Sequence, residues 1–299
     1  MPGLWPFSGK TDDRKPLAVH AKIWGARGSI AAPGPETVKY GGNTSCVHIE
    51  LGHDVSLILD AGTGIRNLGM QLGDRKVRKV HLLLTHLHLD HIQGLGFFEP
   101  AWDPSTEVHV WGPQSVTMSL EERLARYLSP PLFPVNLSEM SRSMKFHNLP
   151  EEDWEIENAL IHSEPVLHQG PTVAYRIQID DKVLAYIPDH EPARAFDLSY
   201  VDPEWISGFS LAEGADVLLH DTQFTEDEYP QRIGWGHSSV ADAVAYANIT
   251  KVKKLVMFHH DPLHTDSDLE DIRKRAEELW DGDPGSSPAL AYEGMEIEL

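Results

Sequence analysis

The sequence predicts one α/β domain behind a short N-terminal arm. Apolar runs with strand character recur along the chain, amphipathic segments with helical periodicity lie between them, and no internal repeat or low-complexity segment is present. The chain has 299 residues of which 41% are hydrophobic, which is enough to bury a substantial core. Residues 1–18 are polar and interrupted by proline, so we expect an arm there and a domain over 19–299.

The first part of the chain reads as strands that stop at polar residues. "VSLILDAGTG" is a buried strand that ends at Asp60 and a glycine-rich turn, and "VRKVHLLLT" is another that ends at Thr85. The elements predicted here are a strand at 18–25, a Gly/Pro loop at 26–45, strands at 46–51 and 55–60, a helix at 65–72 and a strand at 77–85.

The middle of the chain contains a proline-spaced segment, "SPPLFPVNL", at residues 129–137. It follows a predicted strand at 107–113 and an amphipathic helix at 115–128. Its apolar side chains have no periodicity, which suits the lid or wall of a cleft, although an ordinary surface loop is an equal alternative.

The last part of the chain alternates strands with helices. A capping box from Ser267 to Glu270 is predicted to open the final helix. The elements predicted here are strands at 154–162, 173–180, 182–189, 216–221 and 253–261, with helices at 238–248 and 267–280.

Charge and cysteine content limit the classes of function. The 25 Lys and Arg against 46 Asp and Glu give a formal charge of −21, which opposes long-range attraction of nucleic acid. The single cysteine, Cys46, cannot form an internal disulfide, and the N-terminus lacks the apolar core of a signal peptide. No run reaches the roughly 20 apolar residues of a membrane span, so a cytoplasmic protein without membrane contact is expected.

The motif "THLHLDH", residues 85–91, is the strongest chemical signal in the sequence. In an extended segment alternate side chains point the same way, so His86 and His88 can bind one ion together. Asp90 and His91 then begin a helix and are rotated away. Four ligands this close suit two neighbouring ions better than one tetrahedral ion.

Later strand ends supply the remaining ligands. His168, Asp189 and His259 each follow an apolar run, although a single histidine in such a place is more often structural. Together they complete two sets: His86, His88, His168 and Asp189 for one ion, and Asp90, His91, His259 and the same Asp189 for the other. His260 is a rival for His259, and His162 is a weaker rival for His168.

These motifs resemble those of the metallo-β-lactamase fold hydrolases. The resemblance rests on "THLHLDH", "LILDAGTG", His168, "YIPDH" and His259, and it extends from about residue 20 to residue 265. It implies an αββα sandwich of two mixed sheets flanked by helices, with a dinuclear site at one edge. Asp60 and Thr85 are then expected to orient the ligands.

A second resemblance points to phosphate chemistry. "HDTQF" at 220–224 and "GHSS" at 236–239 are similar to the acidic and histidine motifs of tRNase Z and the related cyclic phosphodiesterases. This similarity implies that Asp221 and His237 assist at a phosphoryl group. The alternative is that His237 only caps the helix that follows; the two are compatible, because a helix N-terminus favours an anionic phosphate.

The substrate is expected to be a small phosphodiester, such as a cyclic nucleotide or a cyclic ribose phosphate. The Gly-rich loop resembles a motif of the same enzymes and places Asn43 near the cleft, while Trp235, Ser238 and Phe133 are further expected contacts. No long basic arm of the kind that grips tRNA is visible, so binding of nucleic acid is not expected. Possible homodimerisation stays open.

The predicted mechanism uses two divalent ions that hold a bridging hydroxide, with Asp90 in the catalytic set as a ligand. Zinc is the first choice, and manganese or iron also suit these ligands. His237, held by Asp221, would donate to the phosphoryl group or protonate the leaving alkoxide. A carboxylic ester, thioester or lactone hydrolase and a tRNase Z-like RNA 3′-processing nuclease are the alternatives.

Overall fold

The computed structural model describes residues 20–52, 54–140, 144–192, 194 and 196–299. The predicted N-terminal arm at 1–18 lies outside these residues. Two seven-stranded β-sheets pack face to face, and helices cover their outer faces. The αββα sandwich is therefore confirmed.

Fourteen strands build the two sheets, and they are numbered in chain order. Their bounds are β1 His20–Gly25, β2 Cys46–Glu50, β3 Val55–Leu59, β4 Lys79–Leu83, β5 Glu107–Gly112, β6 Met144–Asn148, β7 Trp154–Ile156, β8 Ala159–Pro165, β9 Val173–Ile179, β10 Lys182–Ile187, β11 Val217–Asp221, β12 Leu255–Phe258, β13 Ala289–Leu290 and β14 Glu296–Glu298. The first sheet has the order β14-β1-β2-β3-β4-β5-β6, and the second has the order β13-β12-β11-β10-β9-β8-β7.

Both sheets are antiparallel on one side and parallel on the other. In the first sheet β3 to β6 run parallel, and in the second sheet β10 to β13 do the same. Because parallel strands end at the same edge, the residues that follow β3, β4, β10, β11 and β12 are brought together there. Arg27 links the sheets at this end through bridges to Thr44 and His260.

Three apolar clusters fill the layers. The central cluster lies between the sheets and includes Leu57, Tyr186 and Phe258. Two outer clusters pack helices onto the sheets. The helices are α1 Ile65–Arg75, α2 Leu89–Ile92, α3 Leu120–Ala125, α4 Phe209–Ala212, α5 Val240–Thr250 and α6 Asp266–Leu279. Among the described residues no helix combines the length and the hydropathy that crossing a membrane requires.

Several predicted boundaries are wrong. Helix α3 is much shorter than 115–128, because Ser119 caps it in a capping box with Glu122. Helix α6 begins at Asp266, and its capping box joins Thr265 to Asp268 in place of Ser267 and Glu270. The predicted strand at 154–162 is the hairpin β7–β8, and strands β6, β13 and β14 were not predicted at all.

Candidate metal centre

The predicted ligands from both sheets meet at the shared edge of the sandwich. The loop after β4 and the start of α2 supply His86, His88, Asp90 and His91. The second sheet supplies His168 between β8 and β9, Asp189 after β10 and His259 after β12. The structure therefore brings together all seven residues that the sequence proposed as ligands.

One group of donor atoms comes from His86, His88, His168 and Asp189, and these atoms lie within 4.8 Å of one another. Asp189 Oδ2 is 3.6 Å from both His86 Nε2 and His168 Nε2. His168 Nε2 is also 3.2 Å from His88 Nδ1. Three imidazole nitrogens and one carboxylate oxygen thus converge on one small volume, as in a tetrahedral site.

A second group comes from Asp90, His91 and His259. His259 Nε2 is 3.1 Å from Asp90 Oδ2 and 3.4 Å from His91 Nε2. Asp189 joins this group through Oδ1, which is 3.0 Å from His91 Nε2 and 3.4 Å from His259 Nε2. The two oxygens of Asp189 therefore face different groups.

Buried hydrogen bonds fix the far side of the ligand rings. His91 Nδ1 is 2.8 Å from Asp60 Oδ2, and that carboxylate also accepts hydrogen bonds from the backbone N–H and hydroxyl of Thr85. The Thr85 hydroxyl lies 3.1 Å from His86 Nδ1. Each contact occupies the Nδ1 atom and leaves Nε2 for the centre, as expected for ligand histidines.

The backbone at the centre is held in an uncommon conformation. Ser29, Asp60 and His259 have φ values of 61°, 59° and 60°, in the left-handed region that non-glycine residues seldom occupy. Ser29 donates its N–H to Asp90 Oδ2 at 2.7 Å. Position 28 has no room for a side chain, because a Cβ on Gly28 would lie 2.3 Å from the ring of His259.

The charges of the centre favour metal binding. Burial lowers the pKa of His86, His88 and His168, so their free electron pairs are available at neutral pH. Burial opposes ionisation of Asp189, yet the neighbouring histidines His259, His91 and His86 hold its pKa well below the usual range. Burial also opposes protonation of His91, yet the charges of Asp189, Asp90 and Asp60 hold its pKa well above the usual value, so binding of a divalent ion would displace a proton from that ring.

His237 forms a dyad with Asp221 beside the two groups. Its Nδ1 atom lies 2.6 Å from Asp221 Oδ2, and its ring stacks on His259 with 5.0 Å between the centroids. Burial opposes protonation, but the charge and the hydrogen bond of Asp221 raise the pKa of His237 to about 9. A donor atom of His237 also lies within 4.8 Å of donor atoms of Asp189 and His259. Helix α5 is capped by the Ser239 side chain, so His237 is not the capping residue.

Three of the four expected substrate contacts are occupied elsewhere. The Asn43 amide donates to Glu293 at 2.9 Å, and the Ser238 hydroxyl, fully buried, donates to the His190 carbonyl at 2.6 Å. Phe133 packs in the outer cluster of the first sheet against Phe97, which anchors the segment 129–137 there. These three side chains already have partners within the protein, and their contact with a substrate stays a prediction. Trp235 is 56% exposed and precedes Gly236, whose carbonyl contacts His168 Nδ1, and its contact with a substrate also stays a prediction.

The rival histidines do not reach the centre. His260 turns away, and its Nε2 atom donates to the Ala291 carbonyl at 2.9 Å. His162 lies on strand β8, where its Nδ1 atom is 2.6 Å from Asp153. His259 follows β12 with a left-handed φ of 60°, and His260 then forms a bridge to Arg27, so the backbone turns between the two residues and directs their rings differently.

Two residues that position the ligands were missed by the sequence analysis. Gln223 Oε1 lies 3.1 Å from His259 Nδ1, and the Tyr186 hydroxyl donates to Asp60 Oδ2 at 2.9 Å. Gln223 could have been found, because it lies two residues after Asp221 in the motif "HDTQF". Tyr186 had no such signal, since it reads only as one residue of an apolar strand.

Fold and site together define an enzyme whose two β-sheets share a cluster of metal-binding residues at one edge. A family model described as the β-lactamase superfamily domain matches residues 56–260. The chain therefore belongs to the metallo-β-lactamase superfamily, and it is a hydrolase of that superfamily.

Relatives with known names agree with this assignment. The ribonuclease Z of Myxococcus xanthus is 22% identical in an alignment 288 residues long, which covers 83% of this chain and 89% of that protein. The metallo-β-lactamase fold protein YhfI of Bacillus subtilis is 18% identical with a TM-score of 0.70, covering 95% of this chain and 100% of the other. A diphosphatase of the PhnP family has 16% identity and a TM-score of 0.65, over 94% and 98% of the two chains.

The residues present fit the divalent metal ions that this fold family implies. Among the described residues, His86 Nε2 and Asp189 Oδ1 are buried and have no hydrogen-bond partner, although other donor atoms lie close by. A buried polar atom without a partner is costly. An ion in the first group would satisfy His86 Nε2, and an ion in the second group would satisfy Asp189 Oδ1. The mixed nitrogen and oxygen donors suit zinc, manganese or iron.

Proposed function

We propose that this protein is a phosphodiesterase that uses two divalent metal ions, zinc first among them, to hydrolyse a small phosphodiester. A cyclic nucleotide or a cyclic ribose phosphate is the proposed substrate class. The observation that carries the proposal is the Asp221–His237 dyad, which places an imidazole beside both groups of metal ligands. Hydrolysis of a carboxylic ester would not require this pair.

His86, His88, His168 and Asp189 would hold one ion, and Asp90, His91, His259 and Asp189 would hold the other. Bound there, the ions would lower the pKa of a coordinated water and neutralise charge on the phosphoryl oxygens. Asp60 and Gln223 keep the rings of His91 and His259 aligned through their Nδ1 atoms. A site aligned in advance loses little free energy to reorganisation when the reaction occurs.

His237 supplies a proton to the substrate in this proposal. Its raised pKa of about 9 keeps the imidazole protonated at neutral pH, and Asp221 Oδ2 occupies Nδ1, so Nε2–H is the atom that can donate. That proton can stabilise a phosphoryl oxygen or pass to the departing alkoxide. Asp221 orients the ring through its contact with Nδ1.

The size of the substrate follows from charge. A net charge of −21 opposes the approach of a folded RNA, and small phosphodiesters do not require a basic surface for capture. The similarity to ribonuclease Z favours a second candidate, RNA 3′ processing. The two candidates share the metal centre and differ in the surface that the substrate must contact.

One experiment separates the candidates. The zinc-loaded protein is given 2′,3′-cyclic and 3′,5′-cyclic nucleotides, a panel of carboxylic esters, thioesters and lactones, and a pre-tRNA. We expect the highest kcat/KM on a cyclic phosphodiester. Efficient, salt-sensitive cleavage of the pre-tRNA would support the second candidate, and activity confined to the esters would contradict the proposal.

A further inference from the structure

Glu191 is a buried carboxylate that lies two residues after Asp189 and is only 1% exposed. It accepts three hydrogen bonds, all from the segment 229–236. The Tyr229 hydroxyl and the Gly234 N–H donate to Oε1 at 3.0 and 2.7 Å, and the Gly236 N–H donates to Oε2 at 2.8 Å. The described structure gives this carboxylate no basic side chain, so backbone amides and one hydroxyl compensate for its burial.

The same segment controls the ligand His168. The carbonyl of Gly236 accepts a hydrogen bond from His168 Nδ1 at 2.7 Å, which leaves Nε2 to face Asp189 and His88. Gly236 has φ of 90°, and a Cβ there would lie 2.4 Å from His168 Nδ1. The backbone of Gly236 therefore sets both the tautomer and the position of this ring.

Glu191 also holds the chain on the other side of His168. Its backbone N–H donates to the carbonyl of Leu167 at 2.9 Å. One residue thus contacts the peptide that precedes the ligand and, through its side chain, the residue that orients the ligand ring. Since Glu191 follows Asp189 so closely, the two ligands Asp189 and His168 are tied to one short stretch of backbone.

The carboxylate of Glu191 binds the residues on both sides of the exposed Trp235. Gly234 and Gly236 flank this residue with φ values of 85° and 90°, and both give their N–H groups to Glu191. His237 follows directly. The segment 229–237, here called the clamped loop, therefore carries an exposed aromatic ring and the proposed proton donor, and one buried side chain fixes its backbone.

We propose that Glu191 is a positioning residue that couples the clamped loop, where Trp235 and His237 would meet substrate, to the ion bound by His86, His88, His168 and Asp189. The part that concerns substrate rests on the proposed function. Release of the clamp would loosen His168 and shift Trp235 together. The ion bound by Asp90, His91, His259 and the shared Asp189 would lose much less affinity, because Asp60 and Gln223 hold the rings of His91 and His259.

Glu191→Gln tests this coupling. Each carboxylate oxygen of Glu191 accepts a backbone N–H, so the NH2 group of the new amide would face a backbone N–H and one hydrogen bond would be lost. Zinc alone is titrated against a chromophoric chelator, and zinc content is measured by mass spectrometry. We expect a ~10-fold to ~100-fold loss of affinity for one of two ions. At saturating zinc, KM for a cyclic phosphodiester should rise more than kcat falls.

Two variants serve as controls. Tyr229→Phe removes one donor and keeps both glycine contacts, so its zinc affinities should stay close to those of the wild type. Glu293→Gln removes a carboxylate that holds Asn43 through two hydrogen bonds away from the ligands. Equal weakening of both ions in Glu191→Gln, or a loss no greater than in Glu293→Gln, would overturn the proposal.

A measurement on the wild type guards against a variant that does not fold. Hydrogen exchange at the amide of Gly236 should be slow in the zinc-loaded protein, although this residue lies in a loop. Exchange at the rate of an unprotected amide would overturn the clamp. If the variant loses affinity for one of the two ions as expected while the wild type cleaves no phosphodiester, that result would refute the proposed function and leave the coupling of Glu191 to the ion intact.

Discussion

His237 shows how one side chain can lie beside a metal centre and still serve another purpose. Its Nδ1 atom contacts Asp221, while a donor atom of the same ring lies close to donor atoms of Asp189 and His259. Its closeness to the proposed ligands would suit a metal ligand. Its pairing with the Asp221 carboxylate would suit a proton donor. Loss of a ligand releases metal, whereas loss of a donor slows turnover at constant metal content.

His237→Ala is expected to lower kcat on a phosphodiester by ~100-fold to ~1000-fold, or about 3 to 4 kcal/mol, as for removal of one positioned donor. Metal content, measured by mass spectrometry, should not change. Asp221→Asn should cost less, because it only orients the ring, and the double variant should resemble His237→Ala alone. Release of an ion from His237→Ala would show that it is a ligand.

Gly28 gives a second prediction at the scale of one residue. Gly28→Ala would bring a methyl group to 2.3 Å from the His259 ring, so that ring must move. We expect weaker binding of the ion held by Asp90, His91 and His259, measured by zinc titration. Gly34→Ala is the matched control, since the nearest atom to its Cβ would be 3.9 Å away. Identical titrations of both variants would refute this prediction.

At the scale of elements, strands β2 and β3 contain a pH-sensitive pair away from the centre. His48, 5% exposed, lies 3.1 Å from the Ser56 hydroxyl. Burial lowers the pKa of His48 to about 4; the charge of Glu50 opposes this shift, and the charges of Arg75 and Lys22 add to it. Because the folded pKa lies below the unfolded value, the unfolded chain binds the proton more readily, and stability falls as pH drops below about 6.5.

His48→Gln should therefore flatten the pH dependence of stability. The wild type should lose about 1 to 2 kcal/mol of its free energy of unfolding between pH 7 and pH 5 through this group alone. Urea unfolding at both pH values, with zinc saturating, measures the difference. An equal loss in variant and wild type would contradict the assignment.

The elements show why part of the structure could be predicted. Strand ends such as Asp60, Thr85 and Asp189 follow apolar runs, and the seven proposed ligands could be picked out because they lie at or shortly after such ends. Strand β6 was missed because Met144–Asn148 is half exposed and has no apolar run. Strands β13 and β14 have two and three residues, and only pairing with a neighbour defines them.

The site residues divide in the same way. Histidine and aspartate side chains can bind metal ions, so the role of such a residue at a strand end could be inferred from its type. The contacts of Asn43, Ser238 and Phe133 could not be predicted from the sequence. Their partners Glu293, His190 and Phe97 lie far away along the chain and belong to no motif that links them. Gln223, Tyr186 and Glu191 act on residues 36, 126 and up to 45 positions away, which only the fold reveals.

At the scale of the whole molecule, the ligands are divided between the two sheets, so bound ions would join the sheets. The first sheet gives His86, His88, Asp90 and His91, and the second gives His168, Asp189 and His259. An ion that binds only the folded state at 100 times its dissociation constant stabilises that state by about 2.7 kcal/mol.

Removal of metal with a chelator should therefore lower Tm by about 4 °C per ion under that condition. Asp189→Ala should reduce occupancy of both sites and leave Tm nearly insensitive to the chelator. Differential scanning fluorimetry with and without added zinc provides the measurement. A wild-type protein whose Tm ignores both zinc and chelator would argue against ions shared by the two sheets.

The pairing of β14 with β1 has a consequence for folding kinetics. Residues Glu296–Glu298 complete the first sheet beside His20–Lys22, and a Lys22–Glu296 ion pair spans 274 positions of sequence. Because 274 positions separate Lys22 from Glu296, β1 is synthesised well before β14, its partner at this edge. Contacts between such distant segments slow folding, so closure of this edge is expected to be a late step, with the β1 edge available for wrong pairing until then.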